Sequence, residues 1–216
     1  MATSSATRLD IQLQSYFDQL ALEWDNKTHP ESLSCLNDII KELDIKSGDH
    51  VLDIASGTGI LLPFLIEAVG AEGKITALDF SQNMLLQAKA KGFQPIVDFI
   101  QADTAAIPLG EDSVDLAMCN SAFPHFSHKL EALQEIARVL KPNGCLAICH
   151  TASRDMINQL HCSIGGVVGN DLLPDELQLR ELLSHAGFTI SHLEDTPRRY
   201  LVTARKAALA NIQSLD

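Results

Sequence analysis

Five short apolar runs recur through the middle of the chain: "DHVLDIA" (49–55), "GKITALDF" (73–80), "QPIVDFIQAD" (94–103), "DSVDLAMCN" (112–120) and "GCLAICH" (144–150). Helical stretches at 58–69, 81–91 and 128–140 separate most of them. Runs of Val, Ile and Leu read as strands buried on both faces, and strand–helix alternation then requires a parallel sheet between two helical layers. Right-handed crossovers wind such a sheet in both directions. The last two runs break the pattern. "GFTISHLE" (187–194) and "RRYLVTARK" (198–206) are separated by little more than Asp195-Thr196-Pro197. Parallel neighbours need a crossover of about a dozen residues, so these two strands pair antiparallel.

The expected fold is therefore α/β: a doubly wound, mostly parallel seven-stranded sheet of Rossmann-like type with a C-terminal antiparallel hairpin. Ahead of it, Leu9, Leu13, Tyr16, Phe17, Leu20 and Trp24 give residues 7–26 the spacing of an amphipathic helix. "HPESLSCLNDIIKEL" predicts a second helix, with Pro30 near its start. This divides the chain into a helical segment (1–48), a sheet domain (49–206) and a tail (207–216).

Charge narrows the partners. Acids outnumber bases 28 to 16, for a net charge of −12, and the only basic clusters are Arg198-Arg199 and Arg205-Lys206. A nucleic-acid partner is not expected, because binding one needs a basic stripe that releases counterions. No apolar run reaches the roughly 18 residues of a membrane helix, and the N-terminus has no signal-like apolar stretch, so no membrane partner and a cytoplasmic location are expected. The five cysteines have no zinc or redox spacing, which agrees with core thiols in a reducing compartment.

The turn after the first strand is Ser56-Gly57-Thr58-Gly59. A dinucleotide fingerprint would place a third glycine where Leu62 stands, and a phosphate loop would need a lysine that is absent. Asp53 argues further. A carboxylate at that turn repels a pyrophosphate but welcomes an ammonium or sulfonium group, and S-adenosylmethionine carries both. Asp79 ends the second strand about 20 residues past the turn, where an acid can accept both hydroxyls of a ribose. Asp103 follows the third strand over the same crevice. Three acids at successive carboxyl ends outline one elongated cationic ligand.

With these residues in place, the chain resembles the class I S-adenosylmethionine-dependent methyltransferases of small-molecule type. The matching motifs are "VLDIASGTG", "ALDFSQNML", "QADTAAIPLGEDSVDLAMCN" and "LQEIARVLKPNGCLAI". The resemblance implies that Asp53 faces the methionine amino group. It implies that Ala55, Ser56, Gly57 and Gly59 let the backbone approach the cofactor. Asp79 would bind ribose, Phe80 and Met84 would lie beside the adenosine, and Asp103 and Thr104 would hold adenine. Asn120 would line the methyl end, and Tyr16 and Trp24 would close over the cofactor from the helical cap at 1–48. S-adenosylhomocysteine would be the product.

The acceptor half is less specified. "CNSAFPHF" after the fourth strand lacks the Asn/Asp-Pro-Pro-aromatic motif of enzymes that methylate nucleic-acid amines, so a small-molecule acceptor is expected. His125 follows in that loop and His150 ends the fifth strand. Arg154, Asn158 and His161 share one face of the next helix. His125, His150 and His161 are the candidates for orienting the acceptor and taking its proton. A metal held by these histidines is not required by their spacing, and none is predicted. The chain is expected to be a monomer or homodimer. Two other readings remain: a non-catalytic sensor or assembly module for S-adenosylmethionine or S-adenosylhomocysteine, and a nicotinamide oxidoreductase. Asp53, Leu62 and the terminal hairpin weigh against the latter.

Overall fold

The computed structural model describes residues 8–207. Five strands run parallel: β1 (His50–Ile54), β2 (Lys74–Asp79), β3 (Val97–Gln101), β4 (Val114–Asn120) and β5 (Leu140–His150). Strand β7 (Tyr200–Lys206) runs antiparallel to both of its neighbours, β5 and β6 (Phe188–Asp195), so β6 points the same way as the first five. Together they form a seven-stranded sheet of order β3-β2-β1-β4-β5-β7-β6. The expected doubly wound sheet with its terminal hairpin is present, and β7 is inserted between β5 and β6.

Successive residues of each strand serve opposite faces, which gives two cores. Leu52, Ile54, Ala117, Leu146 and Ile148 pack on one side with Leu133, Ile136, Leu179 and Leu183. Those helical residues come from α5 (Lys129–Val139) and α7 (Glu176–His185). Val51, Ile75, Met118 and Ala147 pack on the other side with Leu36, Ile39, Leu65 and Val69. These belong to α2 (Pro30–Glu42) and α3 (Leu62–Val69). Each fully buried aliphatic side chain contributes about 1.5–3 kcal/mol, so two dry cores supply the stability without disulfides. Cys145 and Cys149 lie in the second core as free thiols. Among the described residues no helix is long and apolar enough to cross a membrane.

Boundaries shift where backbone geometry intervenes. The helix expected from 58 begins at Leu62, because Gly57 and Gly59 adopt φ of +55° and +83° to make the turn. Strand β5 begins at Leu140 rather than 144: Leu140 pairs with Val114, and the register shifts before Leu116 meets Cys145. Strand β3 starts at Val97 rather than 94. The opening helix, α1 (Arg8–Leu20), tightens at 21–27 into a 3-10 helix that carries Trp24. Residues 1–7 of the expected helical segment and 208–216 of the expected tail lie outside the described residues.

Candidate active site

At the carboxyl ends of β1 to β4, under α1 and the 3-10 segment, lies a cavity of about 250 Å³. Open α/β sheets bind ligands at this edge, where neighbouring crossovers leave to opposite faces. Strand β1 delivers Asp53, which is 0% exposed, and among the described residues neither carboxylate oxygen has a hydrogen-bond partner. Burial, and next the charge of Asp79, push the Asp53 carboxyl well above the ordinary carboxylate range. Ser56 Oγ beside it is also buried, with no partner among the described residues.

Asp79 ends β2 and is 4% exposed. Its Oδ2 accepts from the Gly57 amide and its Oδ1 from the Ser81 amide, both at 2.8 Å. Burial raises its pKa to about 6, and those amide bonds oppose the rise. The acid thus organises the glycine turn, while each oxygen keeps a second lone pair for a ligand. Asp103 caps the short 3-10 turn at 104–106 through the Ala105 amide, 2.8 Å away.

Most of the residues singled out from sequence meet here. Asp53, Ala55, Ser56 and Gly57 line the cavity from the first turn, and Asp79, Phe80 and Met84 line it from the second. Asp103, Thr104, Asn120, His125 and Trp24 complete that set. Four candidates stand off the wall. Gly59 sits against the helices, where a Cβ would come within 2.7 Å of Leu62 Cδ1 and 3.3 Å of Ala88 Cβ. Tyr16 packs edge-on against Phe17, with ring centroids 5.3 Å apart. His150 is 1% exposed behind the wall, with no partner for Nε2 among the described residues and its ring 6.2 Å from that of Tyr200. Burial drives its pKa down to about 3, so it stays neutral.

His161 also lies behind the wall, on α6 (Arg154–Ile164). The polar face of that helix turns inward and binds main chain. Arg154 Nε donates to Pro174 O at 2.9 Å, and Asn158 bonds both the carbonyl and the amide of Leu173. His161 Nδ1 bonds Asp171 O. Spacing on one face made this helix legible; that the face binds residues 171–174 was not, because those contacts join positions 10 to 20 apart.

Sequence reasoning did not single out Phe17 or Asp171. Phe17 lines the cavity and packs edge-on against Trp24, Phe80 and His125, with centroids 5.7, 5.9 and 5.1 Å apart. Asp171 Oδ2 lies 2.8 Å from His125 Nδ1. The roof is tied down by polar contacts. Gln14 Nε2 donates to Phe80 O at 2.6 Å, and Ser81 Oγ donates to Asp18 at 2.5 Å. Asp25 accepts from Thr58 Oγ1 at 2.5 Å and pairs with Lys91 at 2.7 Å. Among the described residues no cluster of three or more His, Cys, Asp and Glu side chains could hold a metal ion.

Comparison with known proteins agrees with this geometry. Residues 51–144 match the family described as a methyltransferase domain. The chain is 34% identical over 145 residues to a demethylmenaquinone methyltransferase of Chlamydia felis, covering 65% of this chain and 62% of that protein. A protein of the same description from Shouchella clausii is 27% identical over 155 residues, covering 70% and 66%. In both relatives the matched stretch is under two thirds of the protein's length. The crystal structure of a SAM-dependent methyltransferase from Aquifex aeolicus superposes with a TM-score of 0.70 at 26% identity, over 90% of this chain and 98% of that one.

Proposed function

Because the chain belongs to the class I S-adenosylmethionine-dependent methyltransferases, we propose that it transfers a methyl group from S-adenosylmethionine to a small-molecule acceptor. The observation that carries this reading is Asp53, a carboxylate with both oxygens buried and unpartnered on the cavity wall. A buried charge without a partner is costly, and a cationic ligand supplies that partner. Asp53 then meets the amino group, Asp79 the ribose hydroxyls, and Thr104 and Asp103 the adenine. Phe80 and Met84 flank the adenosine, with Trp24 above it from the 3-10 segment that follows α1. S-adenosylmethionine supplies the methyl group on a positively charged sulfur. The protein's contribution is alignment in a dry pocket, which accounts for much of the rate in such displacements.

Asn120 and His125 line the part of the cavity assigned to the acceptor. The relatives' names support a menaquinone-type acceptor. The net charge of −12 supports a small molecule over nucleic acid. Free thiols, four of them buried, agree with action in the reducing cytoplasm. Calorimetry with S-adenosylhomocysteine tests the cofactor half. Transfer of labelled methyl to demethylmenaquinone, amines, phenols and thiols tests the acceptor half. Cofactor binding with no transfer to any of them favours a sensor or assembly module over an enzyme.

A further inference from the structure

His125 is held more firmly than an alignment pocket requires. Its Nδ1 lies 2.8 Å from Asp171 Oδ2. An ionised carboxylate only accepts, so the hydrogen sits on Nδ1 and the lone pair on Nε2. Nε2 has no hydrogen-bond partner among the described residues, and the ring lines the cavity. Phe17 abuts the ring, with centroids 5.1 Å apart, and the His161 ring lies tilted at 4.8 Å. Asp171 holds both imidazoles, that of His125 by its side chain and that of His161 by its main-chain carbonyl. The inward face of α6 fixes the segment that carries Asp171, through Arg154 to Pro174 and Asn158 to Leu173.

From this geometry we infer that Asp171 is the positioning residue of a general base, His125, and that the acceptor belongs to the class whose nucleophilic atom must shed a proton: a phenol, an enol or a thiol. This rests on reading the cavity as a methyl-transfer site. The acceptor's bond to hydrogen breaks, its proton passes to Nε2, and the electron pair stays on the acceptor. That pair forms the new bond to the methyl carbon as the carbon–sulfur bond breaks, whose own pair returns to sulfur. Positive charge leaves the sulfonium and appears on the imidazolium, where the Asp171 carboxylate faces it. The proton is later released to water.

The surroundings favour a neutral, receptive ring. Burial holds the His125 pKa below the usual imidazole value; Asp171 pulls it up, and His161 and Lys129 push it down. His150 lies close enough for His125 to depress its own pKa, and Asp10 of α1 lines the same cavity.

The test compares wild type with Asp171→Asn and Asp171→Glu, using 1,4-dihydroxynaphthalene, acetylacetone and dithiothreitol as phenol, enol and thiol probes. Nitrogen-15 NMR of labelled histidine should show His125 protonated on Nδ1 in wild type, with that preference lost in Asp171→Asn. Transfer to the probe that wild type methylates should fall at least tenfold in Asp171→Asn. The acidic limb of its pH profile should move to lower pH, because the variant lacks the carboxylate that raises the His125 pKa. S-adenosylhomocysteine affinity should stay within twofold, and Asp171→Glu should recover part of the rate. An unchanged tautomer with an unshifted acidic limb overturns the role of Asp171. Wild type that binds S-adenosylhomocysteine yet methylates none of the three probes overturns the acceptor class. Failure to bind S-adenosylhomocysteine overturns the cofactor reading instead, and the NMR signature still judges the His125–Asp171 pair.

Discussion

Asp53 carries a conflict between stability and binding. Its oxygens are buried and unpartnered, and its carboxyl is held well above the ordinary range. For such a group the folded-state contribution is fully present below the unfolded pKa and is lost as pH rises through the folded one. Asp53→Asn removes that loss. At pH 7.5 the ligand-free variant should melt higher than wild type, with about 2–4 °C for each kcal/mol regained, and the gap should close as pH falls. Its affinity for S-adenosylmethionine should drop at least tenfold, since a charge-assisted bond contributes roughly 1.5–3 kcal/mol. Scanning calorimetry and titration calorimetry read the two effects, and a variant that binds as tightly as wild type removes Asp53 from the site. This residue was legible in the sequence because an acid at the end of an apolar strand has a fixed destination at the sheet edge. Asp171 was not legible. It meets His125 across 46 positions, and only the fold of α6 brings them together.

At the scale of elements, the roof over the cavity is α1 with its 3-10 extension, clasped to the segments that follow β1 and β2 by Asp18, Asp25 and Gln14. Sequence periodicity announced an amphipathic helix there. It did not say where the helix docks, because the tethers reach Thr58, Ser81 and Lys91, far along the chain. Asp25 is exposed, so its removal should trouble the roof more than the core. Asp25→Ala should leave the melting temperature within about 2 °C, as surface substitutions usually change stability by no more than ~0.5 kcal/mol. S-adenosylhomocysteine should leave the variant several-fold faster. Trp24 is the only tryptophan and lines the cavity, so stopped-flow fluorescence reports this directly. An unchanged dissociation rate would show that the roof does not retain the ligand.

Across the whole molecule, His50, His125 and His150 respond to pH with a sign opposite to that of Asp53 and Asp79. Burial lowers the His150 pKa to about 3, and burial also lowers His50 and His125. A depressed pKa gives stability that is present above the unfolded value and lost as pH falls toward the folded one. His150→Leu should therefore lose less stability than wild type between pH 7 and 4.5, measured by urea unfolding at each pH; equal losses would mean that His150 is protonated in the folded state. The fold itself was the most legible layer, since apolar runs and short connections fix which strands pair and in which direction. One consequence of that order concerns synthesis. Strand β7 lies between β5 and β6 although it is translated after both. While residues 200–206 are still inside the ribosome, β5 shows a bare edge and β6 lacks the sheet neighbour it has among the described residues. The parallel half can assemble during translation, but an adhesive edge stays open until the final strand emerges, and a nascent chain stalled before that point is the form most exposed to aggregation.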